Sequence, residues 1–167
     1  IKNFVFEFQE IIGKLFPLEL PEERLLNNEE VEALILKFLY DKLMSLVNDV
    51  AKNANFNRRI SSFRFIRPEH LELKPADVSV EKLRNARLEF QRMTRAKLPR
   101  DKLVCVVNAC KIIGGLLTFG ADQIGYGADD FLPTLIFCLL HSDVKNLFSE
   151  IGYIKCYYKR VYRYVDG

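Results

Sequence analysis

The residues best placed to do chemistry are two adjacent carboxylates, in the stretch Gly127-Ala128-Asp129-Asp130-Phe131-Leu132-Pro133-Thr134-Leu135-Ile136-Phe137. They stand at the mouth of an almost wholly apolar run that continues to Leu140. An aspartate at such a boundary caps a helix, because its oxygens accept bonds from unpaired first-turn amides. Pro133 fits the first turn, where a missing N–H costs nothing. One carboxylate is enough for a cap. The second is free to face solvent or a partner beside apolar side chains, so the acid exceeds what the helix needs. No nucleophile and base accompany these acids in a catalytic spacing.

The other reactive side chains point to structure. His70 and His141 are isolated, without a ligand-like companion at helical spacing. Cys105, Cys110, Cys138 and Cys156 form no CxxC pair, and three of them lie in apolar helical patterns. Buried reduced thiols are expected there, rather than a disulfide framework or a zinc site. No cofactor, metal or small-molecule substrate is expected. The 167 residues suffice for one domain with a sizeable core; 49% are apolar and 28% charged. A formal charge of +3 is too slight to argue for nucleic acid. No window reaches the ~18 apolar residues of a membrane span, and no signal peptide is visible. The first residue is Ile1 rather than Met, which reads as a piece of something longer.

Helical spacing runs through nearly every long segment, and strand-like alternation is scarce. Asn3 to Phe16 reads as a first helix stopped by Pro17, with a linker to Asn27. Val31, Leu34, Ile35, Phe38, Leu39, Leu43, Leu46, Val47 and Val50 then trace one stripe, predicting a single long central helix. A basic helix follows at about Asn57 to Ile66, and Glu69 to Val78 reads as an extended surface connection. Ser79 is placed to cap a helix with Val80, Leu83, Ala86, Phe90 and Met93 on one side and the basic Lys82, Arg84, Arg87, Arg92 and Arg95 on the other. Pro99 opens the next helix, striped by Leu103, Val106, Val107, Cys110, Ile113 and Leu117. Within it, Gly114-Gly115 lowers helix propensity by about 1 kcal/mol each, which suggests close approach of another backbone. Phe119 to Gly127 reads as a loop. The helix headed by Asp129 and Asp130 is apolar on all sides, so it is expected to be nearly enclosed. Val144, Leu147, Phe148, Ile151 and Ile154 mark a last helix, running into a Tyr- and Arg-rich tail.

Leu98-Pro99-Arg100-Asp101-Lys102-Leu103, Ala128-Asp129-Asp130-Phe131-Leu132-Pro133, Asn146-Leu147 and Tyr153-Ile154, in that order, resemble the vacuolar-protein-sorting-nine domain. Members of that family are exchange factors for early-endosomal Rab GTPases. The resemblance covers about Leu34 to Tyr157, and includes Arg59-Ile60, Phe63, Ile66, Pro68 and Leu71 in a family pattern. Any one piece is a weak signal; the ordered set is specific.

The resemblance implies an all-α fold: a layered helical domain at 28–167, preceded at 1–27 by a helical-bundle element. It implies a regulator rather than an enzyme, which binds a small GTPase, opens its switch regions and expels GDP. Asp129 matches the acid that the family inserts toward the nucleotide site, and Pro133 matches the proline lining the switch groove. Phe131 and Asp130 flank them as partner-binding candidates, Asp130 as cap or local anchor. The expected location is the cytoplasm and, peripherally, the early endosome membrane. The family's Tyr, in a glycine-tyrosine-aromatic segment, would begin about where the chain stops at Asp166-Gly167, so the C-terminal part reads as missing. Two other readings stay open: a non-catalytic helical adaptor that binds a GTPase or scaffold, and a basic helical module at membrane surfaces.

Overall fold

Helical spacing becomes seven α-helices and one 3₁₀ turn, with no strand among the described residues. The structure, a computed structural model, describes residues 28–74, 78–120 and 128–162. The expected N-terminal element at 1–27, the segment 121–127 and the tail after Tyr162 lie outside the described residues. The helices are α1 (Asn28–Phe38), α2 (Tyr40–Val47), α3 (Val50–Ser62), α4 (Arg84–Arg95), α5 (Pro99–Gly120), α6 (Ala128–Leu140) and α7 (Leu147–Tyr162), with the 3₁₀ turn at Pro68–Leu71.

The single long helix expected over Val31–Val50 is three helices. Leu39 leaves helical geometry at φ −88°, ψ 2°, and Asn48 is extended. Asp49, inside the expected helix, is instead the N-cap of α3: its Oδ1 accepts the Lys52 N–H at 2.9 Å. Those bonds to the carboxylate hold the Asp49 carboxyl below its ordinary value. Each break turns the helical face, so the predicted stripe does not stay buried. Phe38 is 89% exposed and Leu46 75%, whereas Leu36 and Leu43 are buried.

α5 is the central element, packed against α4, α6 and α7. Its buried line is Lys102, Ala109, Ile113 and Leu117, rotated from the predicted stripe, and Val107 is exposed. Of the expected face Leu83, Ala86, Phe90 and Met93 are buried but Val80 is exposed. α4 starts only at Arg84, with Leu83 as its N-cap, and leaves Arg84, Arg92 and Arg95 exposed while Arg87 is half-buried. Ser79 accepts the Lys82 N–H at 3.2 Å and so caps the turn that leads into α4. The expected surface connection after Pro68 is not wholly superficial: Leu73 and Val78 are buried in the main core. A second, smaller core joins Leu36 and Leu43 to Tyr153 and Tyr157 of α7.

The head of α6 and the open groove beside α5

Asp129 and Asp130 lie inside the first turn of α6, whose first helical residue is Ala128. The expectation that one of them caps from outside is therefore corrected. Both instead complement the positive N-terminal end of the helix dipole. Pro133 is inside the helix rather than in its first turn. Its ring nitrogen has no proton to give to the Asp129 carbonyl one turn back. The next residue restores order, since the Thr134 hydroxyl donates to the Asp130 carbonyl at 2.8 Å.

Both acids are exposed. Asp129 makes no hydrogen bond or ion pair with any described residue. At helical spacing it shares a face with Leu132 and Ile136, and these are 57% and 41% exposed. The expectation that α6 is enclosed on all sides is therefore corrected. One face, with Thr134, Phe137 and Cys138, is buried; another carries an unpartnered acid above two bare aliphatic side chains.

Phe131 turns toward α5. With Val106, Val107, Cys110, Lys111, Gly114 and Thr118 it lines an open groove of about 480 Å³. The predicted close backbone approach at Gly115 is absent: a Cβ added there meets nothing within 4 Å. Open space therefore lies over the weakest part of α5.

The cysteines follow burial. Cys138 is fully buried, and desolvation pushes its thiol up to about 12. Cys110 in the groove is also raised by burial. All four thiols are free, and Cys156 is exposed. His70 Nδ1 accepts the Arg67 N–H at 3.1 Å, and His141 packs its ring 4.6 Å from Phe137. No group of three or more His, Cys, Asp or Glu that could hold a metal ion occurs among the described residues.

Lys102, within the Leu98–Leu103 motif, makes its polar contacts far from its own turn. Its ammonium is fully buried and reaches Glu150 Oε2 at 2.6 Å, the Met93 carbonyl at 3.0 Å and Tyr40 Oη at 3.2 Å. All three of its donors are thereby used. The Tyr153 ring lies 5.7 Å away, and its hydroxyl donates to the Lys97 carbonyl at 3.0 Å. Two motifs separated in sequence, around Lys102 and around Tyr153, thus meet in one buried cluster. Burial raises the Tyr153 hydroxyl above its ordinary value, with Tyr40 and Tyr157 adding to the effect. Burial also raises the Glu150 carboxyl, against the opposing pull of Lys102.

A second buried polar cluster escaped the sequence reading. Asn53 donates to Ser149 Oγ at 2.6 Å and Asn48 Oδ1 at 2.9 Å, and its own Oδ1 accepts the Ser149 N–H at 3.2 Å. It fastens α3 to the start of α7. The only sequence signal was Asn48-Asp49, a polar pair interrupting an apolar run.

Residues 83–164, which contain this site and the Lys102 cluster apart from Tyr40, match the family model of the vacuolar sorting protein 9 (VPS9) domain. Over that stretch the chain belongs to the VPS9 domain family. It is 34% identical over 134 residues to vacuolar protein sorting-associated protein 9A of Oryza sativa subsp. japonica, covering 77% of this chain and 28% of that protein. It is 28% identical over 170 residues to vacuolar protein sorting-associated protein vps901 of Schizosaccharomyces pombe, covering 93% and 29%. A third relative, the receptor-mediated endocytosis protein 6 homolog of Drosophila pseudoobscura pseudoobscura, is 29% identical over 140 residues, 79% of this chain and 8% of that protein. The chain thus spans less than a third of the length of each of these relatives.

Proposed function

We propose that the VPS9 domain in this chain promotes GDP release from a small GTPase of the early-endosomal Rab subfamily, at the cytoplasmic face of that membrane. The observation that carries the reading is the head of α6: an exposed Asp129 without a partner among the described residues, on one face with Leu132 and Ile136. The helix dipole accounts for an acid in this turn, but folding gives no reason to leave Leu132 and Ile136 bare on the same face. A protein partner that covers the aliphatic stripe would bring the carboxylate with it.

The chemistry required is slight. A GTPase holds its nucleotide through a phosphate-cradling loop, a lysine and magnesium. Asp129 inserted toward that site competes with phosphate for the lysine and repels the nucleotide. The bound domain then favours the nucleotide-free state by its higher affinity for that state, which is all a ligand needs in order to shift an equilibrium. Pro133 shapes the backbone beneath Asp129. Phe131 and the α5 groove accept apolar side chains of the partner, and Asp130 supports the same negative end. No cofactor, metal or nucleophile is needed.

The test is release of fluorescent GDP from a panel of Rab GTPases with and without the chain. Acceleration confined to the early-endosomal subfamily is the expected result. Binding without acceleration of any member would leave an adaptor that uses the groove but not the acid. Binding to none would remove the reading.

A further inference from the structure

We propose that the turn joining α3 to the 3₁₀ segment is a docking surface for an anionic phospholipid bilayer. Residues 50–68 carry five cations, Lys52, Arg58, Arg59, Arg64 and Arg67, and not one Asp or Glu. The whole chain has a net charge of only +3, so this segment holds more than all of the excess. Its end presents two aromatic side chains to solvent: Phe63 is 49% exposed and Phe65 is 69% exposed. Arginines around solvent-facing phenylalanines are the composition of an interfacial segment. The rings enter the headgroup region while the guanidinium groups meet phosphate.

The exposure is held in place by the backbone. Phe63 N–H donates to the Arg59 and Ile60 carbonyls at 3.2 and 3.1 Å, and Ile66 N–H to the Phe63 carbonyl at 3.0 Å. Ile66 packs against the main core, and its carbonyl lies 3.3 Å from His141 Nε2. The backbone that carries the rings is therefore ordered before any surface is met, and that part of the ordering cost is already met by the fold. Behind them is an open cleft of about 470 Å³, lined by Arg64, Phe65, Arg67, Val80, Phe137 and His141. A cationic rim over an apolar floor fits an amphiphile. Arg64 also pairs with Asp143, while Arg58, Arg59 and Arg67 stay exposed around it.

Charge and shape favour a bilayer over nucleic acid. Binding of a single strand needs a groove that follows the backbone with successive stacking platforms; here two rings project from one turn. Lys52 and Arg64 pair with Asp49 and Asp143, as Arg92 of α4 does with Glu89. The basic side of α4 is the poorer candidate for the same lipid because its one aromatic ring, Phe90, is buried. Placement matters too. His141 follows the C-terminal end of α6 and Asp129 stands at the other, about 18 Å away along the helix. A bilayer met at Phe65 leaves the head of α6 clear of lipid. The inference stands whether or not the chain exchanges nucleotide.

The test is co-sedimentation of the chain with phosphatidylcholine vesicles, with and without phosphatidylserine. Binding is expected only to the anionic vesicles, and should weaken as salt is raised. The pair Phe63→Ser with Phe65→Ser should lower the partition by about tenfold or more. The pair Arg58→Glu with Arg67→Glu should lower it by at least about fivefold per cation lost. All four side chains are exposed, so melting temperature should hold; if the Phe pair does not fold, the Arg pair decides. Equal binding to neutral vesicles, no binding to anionic ones, or parent-like binding by a folded variant would overturn the inference. Displacement from vesicles by a single-stranded oligonucleotide at equal charge would overturn it in favour of nucleic acid.

Discussion

The chain places charge in two opposite ways. Lys102 and Glu150 are sealed between α5 and α7, and every donor on the ammonium is used. Asp129 stands in the open with no partner among the described residues. A buried charge pair holds the fold in register and is inaccessible to any ligand. An exposed, idle charge adds little to the fold and is available. Both kinds arise from motif stretches, so a motif alone does not say which role its residues play. Burial and partners do.

The sharpest way to break this contrast is at Glu150. Glu150→Ala leaves the Lys102 ammonium buried and unpaired, and should cost about 3–5 kcal/mol in chemical denaturation. Replacing both, as Lys102→Met with Glu150→Leu, should restore most of that loss, because the desolvation cost goes with the charges. The raised Glu150 carboxyl says the same thing: burial outweighs the pull of Lys102. A carboxyl whose folded pKa is raised gives stability that is complete below its ordinary value of 4.5 and is lost as pH rises through the folded value. The double variant should therefore lose less stability than the parent across that rise. If Glu150→Ala melts like the parent, the sealed cluster is not what holds α5 to α7.

A smaller loss is expected at Asn53. Asn53→Ala strands the buried Ser149 N–H, at about 1–3 kcal/mol, while Ser149 Oγ keeps its bond to Asn48 Oδ1. Its effect should add to that of Glu150→Ala only in part, since Ser149 and Glu150 are neighbours on α7. Full additivity in a double-mutant cycle would show that the two polar clusters hold separate parts of the helix.

These sites also mark what the sequence could tell. The all-α fold, most of the buried face of α4 and the acid-headed α6 were legible, because each rests on local spacing or on a contiguous motif. The start of α4 was not, since it lies at Arg84 rather than next to Ser79. Lys102–Glu150 was not, because its partners are 48 residues apart and only packing brings them together. The break after Val47 was hidden because the apolar positions continue in register while Asp49 quietly serves as a cap. The exposure of Leu132 and Ile136 was hidden for the opposite reason. An all-apolar helix looks enclosed, yet a helix that meets a partner carries the same composition. The motif drew the eye to Asp129, but its lack of a partner is a fact of the fold alone.

A gain, not a loss, is expected at Gly115. The added Cβ of Gly115→Ala meets nothing within 4 Å, so the helix-propensity gain of about 0.5–1 kcal/mol should appear in full. The methyl group also intrudes on the groove of α5. A higher melting temperature together with weaker GTPase binding would show that the glycine is kept for access. Unchanged binding would place the partner elsewhere.

The smallest effect on stability, and the one that best separates the two regions, belongs to Asp129. As a first-turn acid without a partner it gives the fold only its interaction with the helix dipole, about 0.3–1 kcal/mol. Asp129→Ala should therefore melt within a few degrees of the parent. Asp130→Ala should melt lower than Asp129→Ala, since Asp130 makes an interaction that Asp129 lacks among the described residues. They should part in exchange: a carboxylate acting directly on the phosphate site slows GDP release by well over tenfold when removed, the equivalent of more than about 1.4 kcal/mol on the barrier. The two assays together isolate the cause. A folded Asp129→Ala that still binds the GTPase but no longer releases GDP puts the catalytic role on the open charge. If that variant releases GDP as fast as the parent, the contrast between the sealed and the open site remains a fact of the fold, and the acid at the head of α6 is not the group that expels the nucleotide.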